Sequence, residues 1–212
     1  MNDLIKLNLK LLKNKTYLLS SLFGILLPLT IMLSIGMYFE MIIPMIAIIH
    51  FSIINDIEHK NKVEIPVYMT GQTLANMYII RIVIDILFYI VLSVLFYFYF
   101  KYIVRSSYQD PFAISDSVGM VVIILISIIN YIYFGSISLF LTSFFKNNVF
   151  PIIISFGYLI FWMSNYINFE ILFNPFSFSA GMLHYKLCKL IQLIISCILL
   201  YLYIRKKKNK II

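Results

Sequence analysis

The chain has 212 residues, of which 62% are hydrophobic and only 12% are charged, with a mean hydropathy of +0.94. Soluble domains run near half apolar and about a quarter charged, so an ordinary soluble domain is excluded. Basic residues outnumber acidic ones by 17 to 9, yet they sit mainly in short gaps beside apolar blocks. There lysine and arginine set membrane topology, and no nucleic-acid partner is implied.

Apolar residues arranged in long blocks predict an all-α polytopic membrane protein of six transmembrane helices. Six spans of about 20 residues leave roughly 90 for two termini and five loops. No one stretch among them is long enough to bury a soluble core, so any energy source is expected within the bilayer or on a separate chain.

Residues 1–15 read as an interfacial helix. Asp3, Lys6, Lys10 and Lys13 fall on one side of a helical wheel, and Leu4, Ile5, Leu11 and Leu12 on the other, the pattern of a basic amphipathic helix at the cytoplasmic surface. The next 24 residues, Thr16 to Phe39, carry no charge. That run exceeds a signal-peptide core, and no small-x-small cleavage site follows it. It reads as a retained first span at about 16–38.

Further uncharged blocks cover 41–55, 86–100, 117–145, 147–169 and 190–204. With flanking residues they give spans at about 40–56, 81–101, 118–144, 148–168 and 186–204, before a basic tail at 205–212. The 15-residue blocks cannot cross about 30 Å of hydrocarbon unaided. They borrow Glu40, the Arg81/Asp85 end, and Lys186 with Lys189, whose side chains are expected to reach back to the interface. Pro44 interrupts the second block.

Placing both termini inside puts thirteen basic residues on the cytoplasmic side against four (Lys101, Arg105, Lys186, Lys189) outside. This positive-inside asymmetry predicts a multi-pass protein of the plasma membrane. Phe96-Tyr97-Phe98-Tyr99-Phe100 ends the third span where an aromatic belt meets the outer interface. Abundant Ile, Asn, Lys, Phe and Tyr, with four alanines, fit an AT-rich bacterial coding sequence.

Motifs for chemistry are sparse. No Gly-x-x-x-x-Gly-Lys-[Ser/Thr] phosphate loop occurs, so neither ATP nor another cofactor is expected on this chain. His50, His59 and His184 lie far apart, without metal-ligand spacing, and Gly-x-Ser-x-Gly is missing. His50, inside the second block, reads as a packing or cavity-facing residue. Cys188 and Cys197, nine apart on one helix, are about 13 Å apart along its axis and read as packing residues. Arg81 and Asp85, spaced i, i+4, share one helical face, and are expected to form an intramembrane ion pair anchoring the third span. Ser20-x-x-x-Gly24 and Ser115-x-x-x-Gly119 offer small-residue contacts for close helix approach.

The longest inner loop, Asp56 to Arg81, opens on charge (Glu58-His59-Lys60, Val63-Glu64-Ile65). It then carries a compact apolar patch, Ile65, Val67, Tyr68 and Met69, ahead of Thr70-Gly71. Exposed apolar groups on so small a loop fit docking to a soluble partner. Between spans five and six lies Asn174-Pro175-Phe176-Ser177-Phe178-Ser179-Ala180-Gly181.

In these features the chain resembles the membrane subunit of ABC type-2 exporters, a permease. The resemblance covers the layout of the whole chain and implies an amphipathic elbow helix, six spans, and a cytoplasmic coupling helix between spans two and three. It also implies an outer re-entrant segment between spans five and six. ATPase docking would then fall on Glu58, Glu64, Val67, Tyr68, Met69, Thr70 and Gly71, and the re-entrant segment on Asn174 and Pro175. Arg81 stands where the family usually has lysine, and Pro66 where the coupling helix would continue; proline fits only the first turn of such a helix. The implied partners are two soluble ATP-binding cassette subunits holding ATP and Mg²⁺, a second copy or similar permease, and the lipid bilayer. The implied substrates are hydrophobic or amphipathic peptides, lipids or drugs.

Two other readings are distinguishable. A substrate-binding membrane subunit of an energy-coupling-factor vitamin importer has similar length, but its first span usually carries Ala-x-x-x-Ala, and this chain has no alanine before Ala47. An intramembrane enzyme needs paired catalytic residues, whereas Glu40, His50 and Asp85 are scattered in sequence.

Overall fold

A computed structural model describes residues 15–30, 38–61, 74–104, 119–145, 147–165 and 172–209. Regular structure among them is helical. The elements are α1 (Lys15–Thr30), α2 (Ile43–Asn61), α3 (Leu74–Tyr99), α4 (Met120–Thr142), α5 (Val149–Asn165) and α6 (Tyr185–Asn209). A π-helical turn at Tyr38–Ile42 leads into α2, and another at Phe100–Val104 continues α3.

Three helical stretches are long and apolar enough to cross a membrane: Asn76–Tyr102 (27 residues), Met120–Thr142 (23) and Tyr185–Lys206 (22). At the rise of an α-helix they measure about 33 to 40 Å, against about 30 Å of hydrocarbon. Tyr17–Leu26, Tyr38–Ile54 and Val149–Asn165 are shorter apolar helices. Helices suit this composition because each backbone N–H and C=O is satisfied within the segment, as a solvent without hydrogen bonds demands.

Helix α4 is the centre of the bundle. It packs most extensively on α2 and α6, and also on α3 and α5, while α1 lies on α2. Its inward stripe, Ser127, Asn130, Tyr131, Phe134, Gly135 and Ser138, is buried and mixes small with polar groups, the composition that lets membrane helices approach closely. At Gly135 a methyl group would sit 2.6 Å from the Phe51 ring, so α2 and α4 meet there through a bare backbone. One turn on, Ser138 Oγ donates to the Ile48 carbonyl at 3.0 Å and contacts Ser52 Oγ. Ser93 and Ser127 pair across α3 and α4 at 3.2 Å. Ser20 and Gly24 serve an intrachain contact, with Gly24 against Ile46 of α2.

Pro44 does not break the second apolar block. Its ring would press on the carbonyl four residues back, and the wide turn at Tyr38–Ile42 comes immediately before it. Such a turn relieves the clash without ending the helix. The helical run then continues to Asn61, beyond the boundary expected near residue 56. Helix α3 begins at Leu74, ahead of the expected start at 81, because Arg81 is wholly buried and stands inside the helix. The aromatic run divides between two environments. Phe96, Tyr97 and Phe100 are buried, with Phe96 and Phe100 against Tyr38, whereas Phe98 is exposed.

The expected interfacial helix lies outside the described residues except for Lys15, which opens α1. Glu64, Val67, Tyr68, Met69, Thr70 and Gly71 also lie outside them. Glu58 belongs to the backbone of α2, and its side chain is outside the description.

Candidate functional site

Two buried polar networks cross the apolar bundle. The first gathers at the end that the sequence assigns to the outer face. Glu40 occupies the π-helical turn and is wholly buried. Lys189, in the second turn of α6, is buried as well and places its Nζ 2.9 Å from Glu40 Oε1. The ammonium also donates to Asn130 Oδ1 of α4 at 2.7 Å and to the Pro175 carbonyl. The other Glu40 oxygen, Oε2, accepts the Ser179 N–H at 2.7 Å. Both ends of the ion pair therefore grip the segment between α5 and α6.

That segment is a chain of turns rather than a helix. Asn174 starts it with an Asx turn, its Oδ1 accepting the Phe176 N–H at 2.9 Å. Its carbonyl accepts Gln192 Nε2 of α6 at 3.0 Å. Turn bonds follow from Ala180 N–H to the Phe176 carbonyl (2.9 Å) and from Met182 N–H to the Ser177 carbonyl (3.0 Å). Gly181 has φ +67, a left-handed conformation that glycine tolerates best. Asn174 and Pro175, the expected re-entrant residues, are buried and tied to α6 through their backbone carbonyls.

The second network lies deeper, among α1 to α4. Asp85 of α3 accepts hydrogen bonds from the Tyr17 hydroxyl of α1 on Oδ1 and the Tyr131 hydroxyl of α4 on Oδ2. His50 of α2 sets Nδ1 3.3 Å from Asp85 Oδ1, while its Nε2 lies 2.8 Å from Ser20 Oγ and 3.2 Å from Ser21 Oγ. Tyr17 stacks on the imidazole at 3.9 Å, and Tyr89 stacks on Tyr131 at the same separation. His50 and Asp85 are wholly buried.

The expected Arg81–Asp85 ion pair is replaced by these contacts. The i, i+4 spacing does put both residues on one face, but Asp85 turns its carboxyl to donors on α1, α2 and α4. Arg81 Nη1 instead donates to the Ile54 carbonyl of α2 at 3.3 Å. Lys189 likewise does not reach back to an interface, because Glu40, Asn130 and the Pro175 carbonyl satisfy it inside the bundle. The Glu40–Lys189 pairing had one sequence signal. In the six-span topology both residues border apolar blocks at the outer level, with opposite charge.

Ser20, His50 and Asp85 have the order of a nucleophile, base and orienting acid, but not the surroundings of one. Ser20 stands mid-helix, where backbone N–H groups are spent on the helical ladder, leaving no pair of donors for an oxyanion. Both serine hydroxyls also turn back to the Tyr17 carbonyl. No group of three His, Cys, Asp or Glu side chains able to hold a metal occurs among the described residues. Cys188 and Cys197 are free thiols, the first buried and the second exposed.

Compared with known proteins, the chain matches no family model, no curated protein and no solved structure.

Proposed function

We propose that the chain is the permease subunit of an ATP-driven ABC exporter. It works as a six-span protein with both termini cytoplasmic in the plasma membrane of a bacterium. Two copies, or this chain and a similar one, enclose the pathway, and two soluble ATPase subunits dock on the loop from Glu58 to Gly71. Hydrolysis of ATP, with Mg²⁺ on those partners, drives the coupling region and alternates access for hydrophobic or amphipathic substrates such as peptides, lipids or drugs.

The observation that best supports this reading is the Glu40–Lys189 pair and what it holds. Charges inside a membrane bundle are expensive and mark functional positions. Here they fasten the turn segment 174–181 across α2, α4 and α6. A segment secured by one ion pair, an Asx turn and a few carbonyl contacts is a gate in form: closed while the pair is made, released when α6 shifts against α2. The apolar exterior, with Leu87, Val91, Leu95 and Phe98 exposed on α3, suits lipid or a second permease copy.

Affinity purification of the tagged chain in mild detergent, with mass spectrometry of the proteins retained, tests the reading. A soluble ATPase at near-equal amount, without a distinct membrane scaffold, is expected. An ATPase accompanied by such a scaffold favours the vitamin-importer class, and the absence of any ATPase from the intact protein overturns both.

A further inference from the structure

The cluster around His50 has a hydrogen count that its geometry restricts. Ser20 Oγ donates to the Tyr17 carbonyl at 3.0 Å, and Ser21 Oγ donates to the same carbonyl at 2.9 Å. Such back-bonding is the usual recourse of a helix serine where no water competes. With their hydrogens directed there, the two serine oxygens meet His50 Nε2 as acceptors, so Nε2 carries a hydrogen. On the other side of the ring, Nδ1 faces Asp85 Oδ1 at 3.3 Å. That contact requires one more hydrogen, either on Nδ1 of an imidazolium facing a carboxylate, or on a carboxylic acid facing a neutral ring. In both forms the pair holds one proton beyond a neutral ring plus a carboxylate, and is neutral as a unit.

Burial favours the same count. Both side chains are wholly out of solvent, and an uncompensated carboxylate at such depth is costly. The titratable groups facing the pair are Tyr17 from α1, Tyr89 from α3 and Tyr131 from α4. All are phenols, which donate hydrogen bonds without bringing charge. Arg81, one turn away on α3, reaches toward the Ile54 carbonyl.

We propose that His50 and Asp85 form a one-proton binding site inside the bundle, whose occupancy holds α1 against α2 and α3. Helix α1 meets its neighbours along Tyr17, Ser20, Ser21 and Gly24, which are buried, while Leu18, Leu19, Leu22, Phe23 and Leu26 are exposed. In lipid an apolar face gains little by leaving the acyl chains for protein. Attachment of α1 therefore rests on the close approach of Gly24 to Ile46 and on the polar cluster. Release of the proton to water leaves one negative charge among hydroxyl groups, and the packing relieves it by letting α1 withdraw and water enter. Uptake of a proton from water reverses the change. The site stands apart from the permease reading and does not depend on it.

The test uses the full chain in lipid nanodiscs. His59→Gln with His184→Gln leaves His50 the sole histidine, and ¹⁵N NMR of labelled histidine reads each ring nitrogen. Protonation of Nε2 is expected at neutral pH; a ring protonated on Nδ1 alone, with bare Nε2, overturns the proposal. Thermal unfolding of variants supplies a second readout. His50→Gln removes the proton carrier and strands the carboxylate, so the unfolding temperature should fall by about 4 °C or more. Adding Asp85→Asn removes that charge, and should recover at least half of the loss. A double variant no more stable than His50→Gln alone would mean that the pair only packs, and the proposal fails. Neither readout involves ATP or transport, so failure here is distinct from failure of the permease reading.

Discussion

Lys189 Nζ lies 2.9 Å from Glu40 Oε1 with both side chains buried, joining the start of α6 to the π-helical turn ahead of α2. Two charges that would each be costly alone form a neutral unit, completed by Asn130, the Pro175 carbonyl and the Ser179 N–H. Removing one partner leaves the other charge buried without compensation, which is far worse than removing both. Lys189→Met or Glu40→Gln alone is therefore expected to cost about 3 kcal/mol or more. The double variant should cost clearly less than the sum. Thermal or denaturant unfolding of the four proteins in one detergent measures the cycle; additive losses would contradict the coupling.

Gly135 and Gly24 both stand at helix crossings, but their neighbours differ in freedom. A methyl at Gly135 meets three atoms of the buried Phe51 ring at 2.6 to 2.8 Å, whereas at Gly24 the nearest atom is the terminal Ile46 Cδ1. A ring wedged between α2 and α4 cannot turn aside, while an isoleucine tip changes rotamer. Gly135→Ala is expected to destabilise by about 1–3 kcal/mol, and Gly24→Ala by less. Phe51→Leu introduced with Gly135→Ala should restore part of the loss. Comparing the unfolding temperatures of these variants checks both the ranking and the rescue.

The apolar blocks were readable because hydrocarbon tolerates charge so poorly: the span expected at 118–144 contains α4, Met120–Thr142. Boundaries set by single charges were less readable. Arg81 looked like the edge of a span, yet the bundle buries it by offering the Ile54 carbonyl, so α3 starts earlier. The polar networks were the least legible. Asp85 was paired with the neighbour nearest in sequence, but Tyr17, His50 and Tyr131 come from 68, 35 and 46 residues away. Only helix packing brings such partners together, and periodicity along one helix carries no information about which helix will face it.

Serine pairs across α4 add a graded series. Ser138 Oγ donates to the Ile48 carbonyl and contacts Ser52 Oγ, while Ser127 meets Ser93 alone. Hydrogen bonds between membrane helices contribute about 0.6 kcal/mol on average, because the separated helices find other partners. Ser138→Ala should therefore cost more than Ser127→Ala, with both near 1 kcal/mol or below. Equilibrium unfolding in mixed micelles resolves the order; a larger loss at Ser127 would contradict it.

Asn174 makes the last prediction local rather than global. Its side chain holds the Phe176 N–H in an Asx turn, and its own carbonyl receives Gln192. Asn174→Ala keeps the carbonyl but loses the turn, at a cost of about 1 kcal/mol. The Glu40–Lys189 pair remains, so the bundle should stay folded while segment 174–181 opens more often. Hydrogen exchange is the suitable measurement. Faster exchange is expected at Phe176, Ser179 and Ala180, whose N–H groups bond to Asn174 Oδ1, Glu40 Oε2 and the Phe176 carbonyl. Exchange in α4 should be unchanged, since Asn130 keeps its bond from Lys189. Acceleration spread evenly over α4 and the segment would mean that Asn174 supports the whole bundle instead of one closure. In Lys189→Met the same three amides should exchange faster still, because that change loosens the segment at the ion pair and at the Pro175 carbonyl together.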